Sequence, residues 1–112
     1  MSAPSLNRQL LLEEPVRTGD GAGGFIRDWA PLGTLWAEVK AGSGRERAAF
    51  AATVSRVPYR ITVRASPHDA PSRPKAGQRF RTGTRIFNIT AVAEQGTEGR
   101  YLTCHAIEET AS

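Results

Sequence analysis

Two stretches of apolar–polar alternation, Thr34–Lys40 and Tyr59–Ser66, flank a segment far too long to be a hairpin turn. In the second stretch Tyr59, Ile61, Val63 and Ala65 alternate with Arg60, Thr62, Arg64 and Ser66, the period of two of a half-buried strand. In the first, Leu35, Ala37 and Val39 alternate with Trp36, Glu38 and Lys40, and Trp36 is expected to finish the second face against a neighbouring element. Between them Ala41-Gly42-Ser43-Gly44 breaks the strand, and Ser43 with Glu46 fits a capping box. A short helix is expected from about Gly44 to Ala52; alone it is marginal, so it packs on something or stays a mobile loop. Ala48, Ala49, Phe50, Ala51 and Ala52 surround that helix instead of forming one stripe, which points part of the small apolar surface at a partner chain. A connection of this length inside a compact domain is usually functional.

The remaining chain punctuates into short strands. Leu6–Val16 reads as an opening strand that Pro15 closes or leaves at an edge. Arg17–Gly24 is turn chemistry. Phe25–Ala30 reads as a short strand stopped by Pro31 and Gly33. Pro67–Gly77, with four breakers, is an irregular connection. Gln78–Arg81 and Arg85–Ala93 form a hairpin around Thr82-Gly83-Thr84, with Phe87, Ile89 and Ala91 on one face. Glu94–Gly99 is a polar turn, and Tyr101–Ile107 a last strand that turns Leu102, Cys104 and Ala106 one way. Five to seven short strands at this spacing define an all-β, mainly β domain: a small barrel or sandwich with one long inter-strand loop. With 112 residues the chain supports one core, so 1–112 is expected to be a single domain, with 1–5 and 109–112 as flexible tails and 41–56 as a projecting loop.

Charge is unevenly placed. From Arg45 to Arg85 there are ten basic residues and two acids, a net of +8; the rest carries five bases and nine acids, a net of −4. A basic middle between acidic ends suits a nearby polyanion, a head-to-tail assembly of copies, or simply a solvated basic face. There is no long apolar run and no basic-then-apolar leader, so neither a membrane span nor a secretory signal is expected. A single Cys104 forms no internal disulfide, in keeping with a reducing compartment. Asn88-Ile89-Thr90 matches a glycosylation sequon, but it falls inside an expected strand and reads as chance.

The motifs that suggest chemistry fail on context. Gly19-x-Gly21-x-x-Gly24 has the letters of a dinucleotide fingerprint, yet Phe25–Pro31 is too short and too Pro-bounded for the helix whose amide dipoles would hold a pyrophosphate. A hairpin turn is the better reading. Cys104 and His105 are adjacent on a strand and so point to opposite faces, and His68 beside Asp69 lacks a third ligand. Glu13-Glu14 and Glu108-Glu109 read as solvated pairs near the ends. No catalytic constellation, metal site or cofactor is expected, and no enzymatic activity.

Taken together, Trp36-Ala37, then Ser43-Gly44-Arg45-Glu46, then Arg60-Ile61-Thr62-Val63, then Arg85-Ile86-Phe87-Asn88-Ile89 with Leu102-Thr103-Cys104 resemble the head-tail joining family of tailed bacteriophages, also called head-completion or stopper proteins. The order and spacing hold from Leu6 to Glu108, and the chain departs from the pattern in the Pro-rich Pro67–Pro74 connection. The Arg- and Ala-rich composition also suits a gene transfer agent or a prophage as source.

The resemblance implies a small β-barrel assembled as a ring, typically a hexamer, below the portal and its adaptor and above the tail. Such a ring retains packaged DNA and offers the surface on which the tail terminator or tail tube docks. The expected location is the head-tail interface of a virion or phage-like particle, assembled in the bacterial cytoplasm, with no membrane partner. In that setting Ser43, Gly44, Arg45, Glu46, Arg47, Ala48, Ala49, Phe50, Ala51 and Ala52 form a channel-gating loop. Its alanines let copies approach, and Phe50 acts as a plug or intersubunit anchor. Arg45, Arg47, Arg56, Arg60 and Arg64 then face the phosphates of double-stranded DNA without reading sequence, or pair with a neighbour's acids. Two other readings stay open: a tail terminator or minor tail ring protein, and a nucleic-acid-binding barrel of the oligonucleotide-binding type, which would need exposed aromatics for stacking when Tyr59 and Phe87 lie on core faces.

Overall fold

The two alternating arms pair with each other. In the computed structural model, which describes residues 3–42 and 57–109, strand β2 (Phe25–Ala41) runs antiparallel to β3 (Val57–Arg64), with Ala37 opposite Val63 and Ala41 opposite Tyr59. Each arm turns its apolar set inward: Ala37, Ile61 and Val63 are buried, and Leu35, Val39, Tyr59 and Ala65 pack at the edge of the core. Trp36 is 54% exposed, so its face is not finished by a neighbouring element in the way expected.

Four further strands complete a closed barrel in the order β1-β2-β3-β6-β5-β4, with β1 at Arg8–Gly19, β4 at Arg79–Thr82, β5 at Arg85–Gln95 and β6 at Tyr101–Glu108. All pairs are antiparallel. Closure is made by three residue pairs between β1 and β4: Leu11–Arg81, Leu12–Phe80 and Glu13–Arg79. The interior holds Leu10 and Leu12 from β1, Phe80 from β4, Phe87 and Ile89 from β5, and Leu102, Cys104 and Ala106 from β6. Burying each large apolar side chain contributes about 1.5–3 kcal/mol, so these residues dominate stability. Phe80 and Phe87 lie opposite each other on β4 and β5, and Tyr59 meets Phe87 edge-on at 5.1 Å. The β4–β5 turn is Gly83-Thr84, with Gly83 at φ 59, the first central position of a tight hairpin turn.

Two β-bulges change the expected layout. Phe25–Ala30 is not a separate strand: β2 continues through Pro31 and Gly33, because Leu12 pairs with Gly33 and Glu13 with Pro31, leaving Leu32 as the extra residue. A bulge absorbs a proline that a regular ladder would reject, and Gly33 takes the φ of 140° that the kink needs. The second bulge, at Thr90, flips the face of β5 after Ile89. Ala91 is therefore exposed and Val92 packs on the core in its place. The Thr90 hydroxyl donates to the His105 carbonyl (3.1 Å) across this irregularity.

The Pro67–Gly77 connection is irregular as expected, and within it Pro74 is fully buried. Arg73 Nη1 donates to the Ser66 carbonyl at 2.7 Å and ties the connection to the end of β3.

Candidate functional site

The facing ends of β2 and β3, which flank residues 43–56 in sequence, lie at one rim of the barrel. Their pairing persists to Ala41–Tyr59, and the Gly42 amide donates to the Pro58 carbonyl at 2.9 Å, so both strands are held together up to the point where the segment leaves. The expected gating residues Ser43, Gly44, Arg45, Glu46, Arg47, Ala48, Ala49, Phe50, Ala51 and Ala52, the helix expected there, and Arg56 lie outside the described residues.

A charged cluster braces that rim. Val57, the first described residue after the segment, pairs with Glu108. The Glu108 carboxylate accepts from Arg85 Nε (2.7 Å) and Nη2 (3.2 Å), a two-pronged pair, and Arg85 Nη2 also donates to the Tyr59 hydroxyl (3.2 Å). The hydrogen bond from Arg85 holds the Glu108 carboxyl below its usual range against the opposing effect of burial, and Glu108 in turn raises Arg85. The guanidinium also stands 4.9 Å over Phe87, which links the rim to the core. Glu109 is drawn in as well: its amide donates to the Ile86 carbonyl and its carboxylate accepts from Asn88.

Arg60 and Arg64 emerge together on the outer face of β3 and are exposed. Lys40 and His105 flank Arg60 on β2 and β6, so three nitrogen-bearing side chains form a row across the sheet. Arg64 pairs with Tyr101, with its guanidinium 5.8 Å from the ring. Like charges directly opposite on neighbouring strands are unfavourable unless something offsets them.

At the opposite side, β1 and β2 extend past the barrel as a two-stranded ribbon. Beyond Glu13, β1 pairs only with β2, from Glu14–Ala30 to Gly19–Phe25. Its tip is the expected glycine turn: the Asp20 amide donates to the Gly24 carbonyl, and Asp20 Oδ1 accepts from the Ala22 and Gly24 amides. That Asx geometry, with Gly21 and Gly23 at positive φ, is what the spaced glycines serve. Phe25 and Ile26 at the tip are 63% and 57% exposed. At the ribbon's base, Glu13 is buried and bonded to Arg79, which stacks on Trp29.

One carboxylate of each pair is thus held by an arginine, contrary to the expectation that both pairs are solvated, while Glu14 is half-buried and Glu109 exposed. Glu13 and Glu108 each meet an arginine from the basic middle of the chain, so part of the charge asymmetry is satisfied within the barrel. Acid and base in each pair are far apart in sequence, and only the strand register brings them together. Cys104 and His105 point apart, as their adjacency requires: the thiol is buried and pushed up to about 12 by desolvation, and the imidazole is exposed. Among the described residues no three His, Cys, Asp or Glu side chains are grouped as a metal would need.

Residues 1–109 match the family of phage head completion proteins. The chain belongs to this family. Of solved structures, a chain of the "Virion of native gene transfer agent (GTA) particle" is 55% identical over 98% of this chain and 100% of that one, with a TM-score of 0.80. Protein SF1141 from Shigella flexneri 2a, solved in solution, covers 100% of both chains at 23% identity and a TM-score of 0.71, a likeness of fold alone. No curated protein matches. A head completion protein is a structural part of a tailed-phage-like particle, acting where head and tail join.

Proposed function

We propose that this head completion barrel is the stopper of a gene transfer agent or related phage-like particle, set as a ring of six copies between the portal adaptor and the tail. The observation that carries this reading is the 55% identity, over nearly the whole of both chains, to a component of a gene transfer agent virion. The ring retains packaged double-stranded DNA and presents the surface on which the tail terminator or tail tube docks; its work is positional, with no reaction catalysed.

The rim geometry supports a place for the gate. The strands that flank residues 43–56 in sequence are held together up to Gly42–Pro58, and Arg85, Glu108 and Tyr59 brace that rim. A stiff base lets such a segment bear load from packaged DNA without unzipping the barrel. The segment Ala41–Arg56 narrows the channel, with Phe50 at the constriction and Arg45 and Arg47 near the phosphates, which attract without sequence preference. An oligonucleotide-binding role is less well supported: Phe87 is fully buried and Tyr59 packs against it, so neither is free to stack on a base.

Deleting Ser43–Ala52 tests the assignment. The variant barrel keeps its β circular dichroism and still enters particles, and filled heads lose their DNA. Particles that contain the deleted chain and retain DNA at the unaltered level would refute the gating role.

A further inference from the structure

The β1–β2 ribbon has two chemically different faces. Directly opposed residues of an antiparallel pair share a face, and successive residues alternate. Arg17–Arg27, Pro15–Trp29 and Gly19–Phe25 therefore form one side, basic and aromatic, on which Arg17 lies 4.3 Å over Phe25. Glu14–Ala30, Val16–Asp28 and Thr18–Ile26 form the other, which carries two acids, no base and the aliphatic side chains Val16 and Ile26. This second side continues the face that Leu10 and Leu12 turn into the core. Past the rim no other strand of the barrel pairs with the ribbon, and Ile26 is left 57% exposed. A lone two-stranded ribbon in water is marginal, and an uncovered apolar face calls for a partner.

The outer barrel face has the complementary character. Trp36, 54% exposed, stands on the same side of the sheet as Arg60 and Arg64, because their neighbours Ala37, Ile61 and Val63 point inward. Among the described residues of β2 and β3, Lys40, Arg60 and Arg64 there outnumber the one acid, Glu38, which is already engaged with Lys40 (3.6 Å) and the Ser5 amide (2.9 Å). The ribbon cannot reach this face in its own chain: Ile26 and Trp36 lie ten residues apart on one continuous strand, about 33 Å at the usual rise.

We propose that the acidic-aliphatic face of the ribbon docks on the Trp36–Arg60–Arg64 face of a second copy. Ile26 and Val16 cover Trp36, and Asp28 and Glu14 meet the two arginines. Each copy gives one surface and receives the other, a heterologous contact that repeats from copy to copy. Closure of that series into a ring rests on the connector reading above. The contact also brings acids to Arg60 and Arg64, of which Arg60 stands directly opposite Lys40.

The test is cross-linking of the full chain carrying Ile26→Cys and Trp36→Cys, both purified at high concentration and in particles, with a short bifunctional maleimide. The buried Cys104 gives the unaltered chain as a blank. A ladder of dimers, trimers and higher species from the double variant, and none from Ile26→Cys or Trp36→Cys alone, is expected. Asp28→Arg reduces the ladder at least tenfold, and Asp28→Arg with Arg64→Asp restores it. Dimers from Ile26→Cys alone, attachment of that cysteine to a different particle protein, or no ladder in either sample while circular dichroism shows a folded barrel would overturn the contact. DNA retention in the same particles reports on the connector role separately: retained DNA without a ladder removes this interface and leaves the ring standing.

Discussion

The guanidinium of Arg79 is clamped between two residues: it lies 4.1 Å over the ring of Trp29 while its Nε donates to Glu13 Oε1 at 2.7 Å. The clamp sits at Glu13–Arg79, where β4 stops pairing with β1 at the base of the ribbon. Arg79→Ala strands a buried carboxylate, and breaking such a pair from one side costs about 3–5 kcal/mol. Arg81, 4.0 Å from the other Glu13 oxygen, offers partial compensation and keeps the loss toward the lower value. Glu13→Leu with Arg79→Met, which removes both charges, costs much less. Guanidinium unfolding of the three proteins checks this; equal losses for the single and double variants would contradict it.

Acid weakens the rim before it unfolds the core. The Glu108 carboxyl is held low in the folded barrel by Arg85, so its contribution is complete above the unfolded carboxylate value of about 4.3 and is lost as pH falls through the lower folded value. Glu108→Gln therefore lowers stability at pH 7 and flattens the decline below pH about 4.3. Arg85 is partly solvated, which keeps the effect modest. Thermal melts at several pH values read it; parallel curves for the two proteins would exclude the pair as the source.

Cys104 should be silent in the native state. Burial raises its thiol to about 12, and its side chain lies inside the barrel beneath β6. A disulfide exchange reagent at mildly alkaline pH labels it only as fast as the barrel opens, and His105→Ala leaves the rate unchanged. Rapid labelling that depends on His105 would show that the two side chains meet.

Much of the barrel is legible in the alternation alone, because a half-buried strand writes its inward residues at every second position. Ile61 and Val63, and Leu102, Cys104 and Ala106, are buried as that pattern says. The pattern breaks wherever a bulge inserts a residue: Pro31 and Gly33 look like a stop when only the opposing register shows that β2 carries on, and Thr90 exchanges Ala91 for Val92 without any local sign. The Glu13–Arg79 and Glu108–Arg85 pairs are invisible to local reading for the same reason, since acid and base are brought together by strand order. Trp36 fails differently. Alternation correctly sets it on the face opposite Ala37, but its size suggests cover by a neighbouring element, and it stands 54% exposed.

Gly33 holds the first bulge at φ 140°, where a side chain is strained. Gly33→Val is expected to cost about 1–3 kcal/mol and to loosen the ribbon more than the barrel. Hydrogen exchange resolves the two: protection falls first at Val16–Thr18 and Ile26–Asp28 and is kept at Ile61 and Leu102. Uniform loss across the barrel would contradict a local hinge.

The most direct measurement is particle imaging of a producer strain lacking this protein. As a connector that completes the head, its loss leaves heads, filled or emptied of DNA, separate from finished tails. Normal joined particles that retain their DNA would contradict the account.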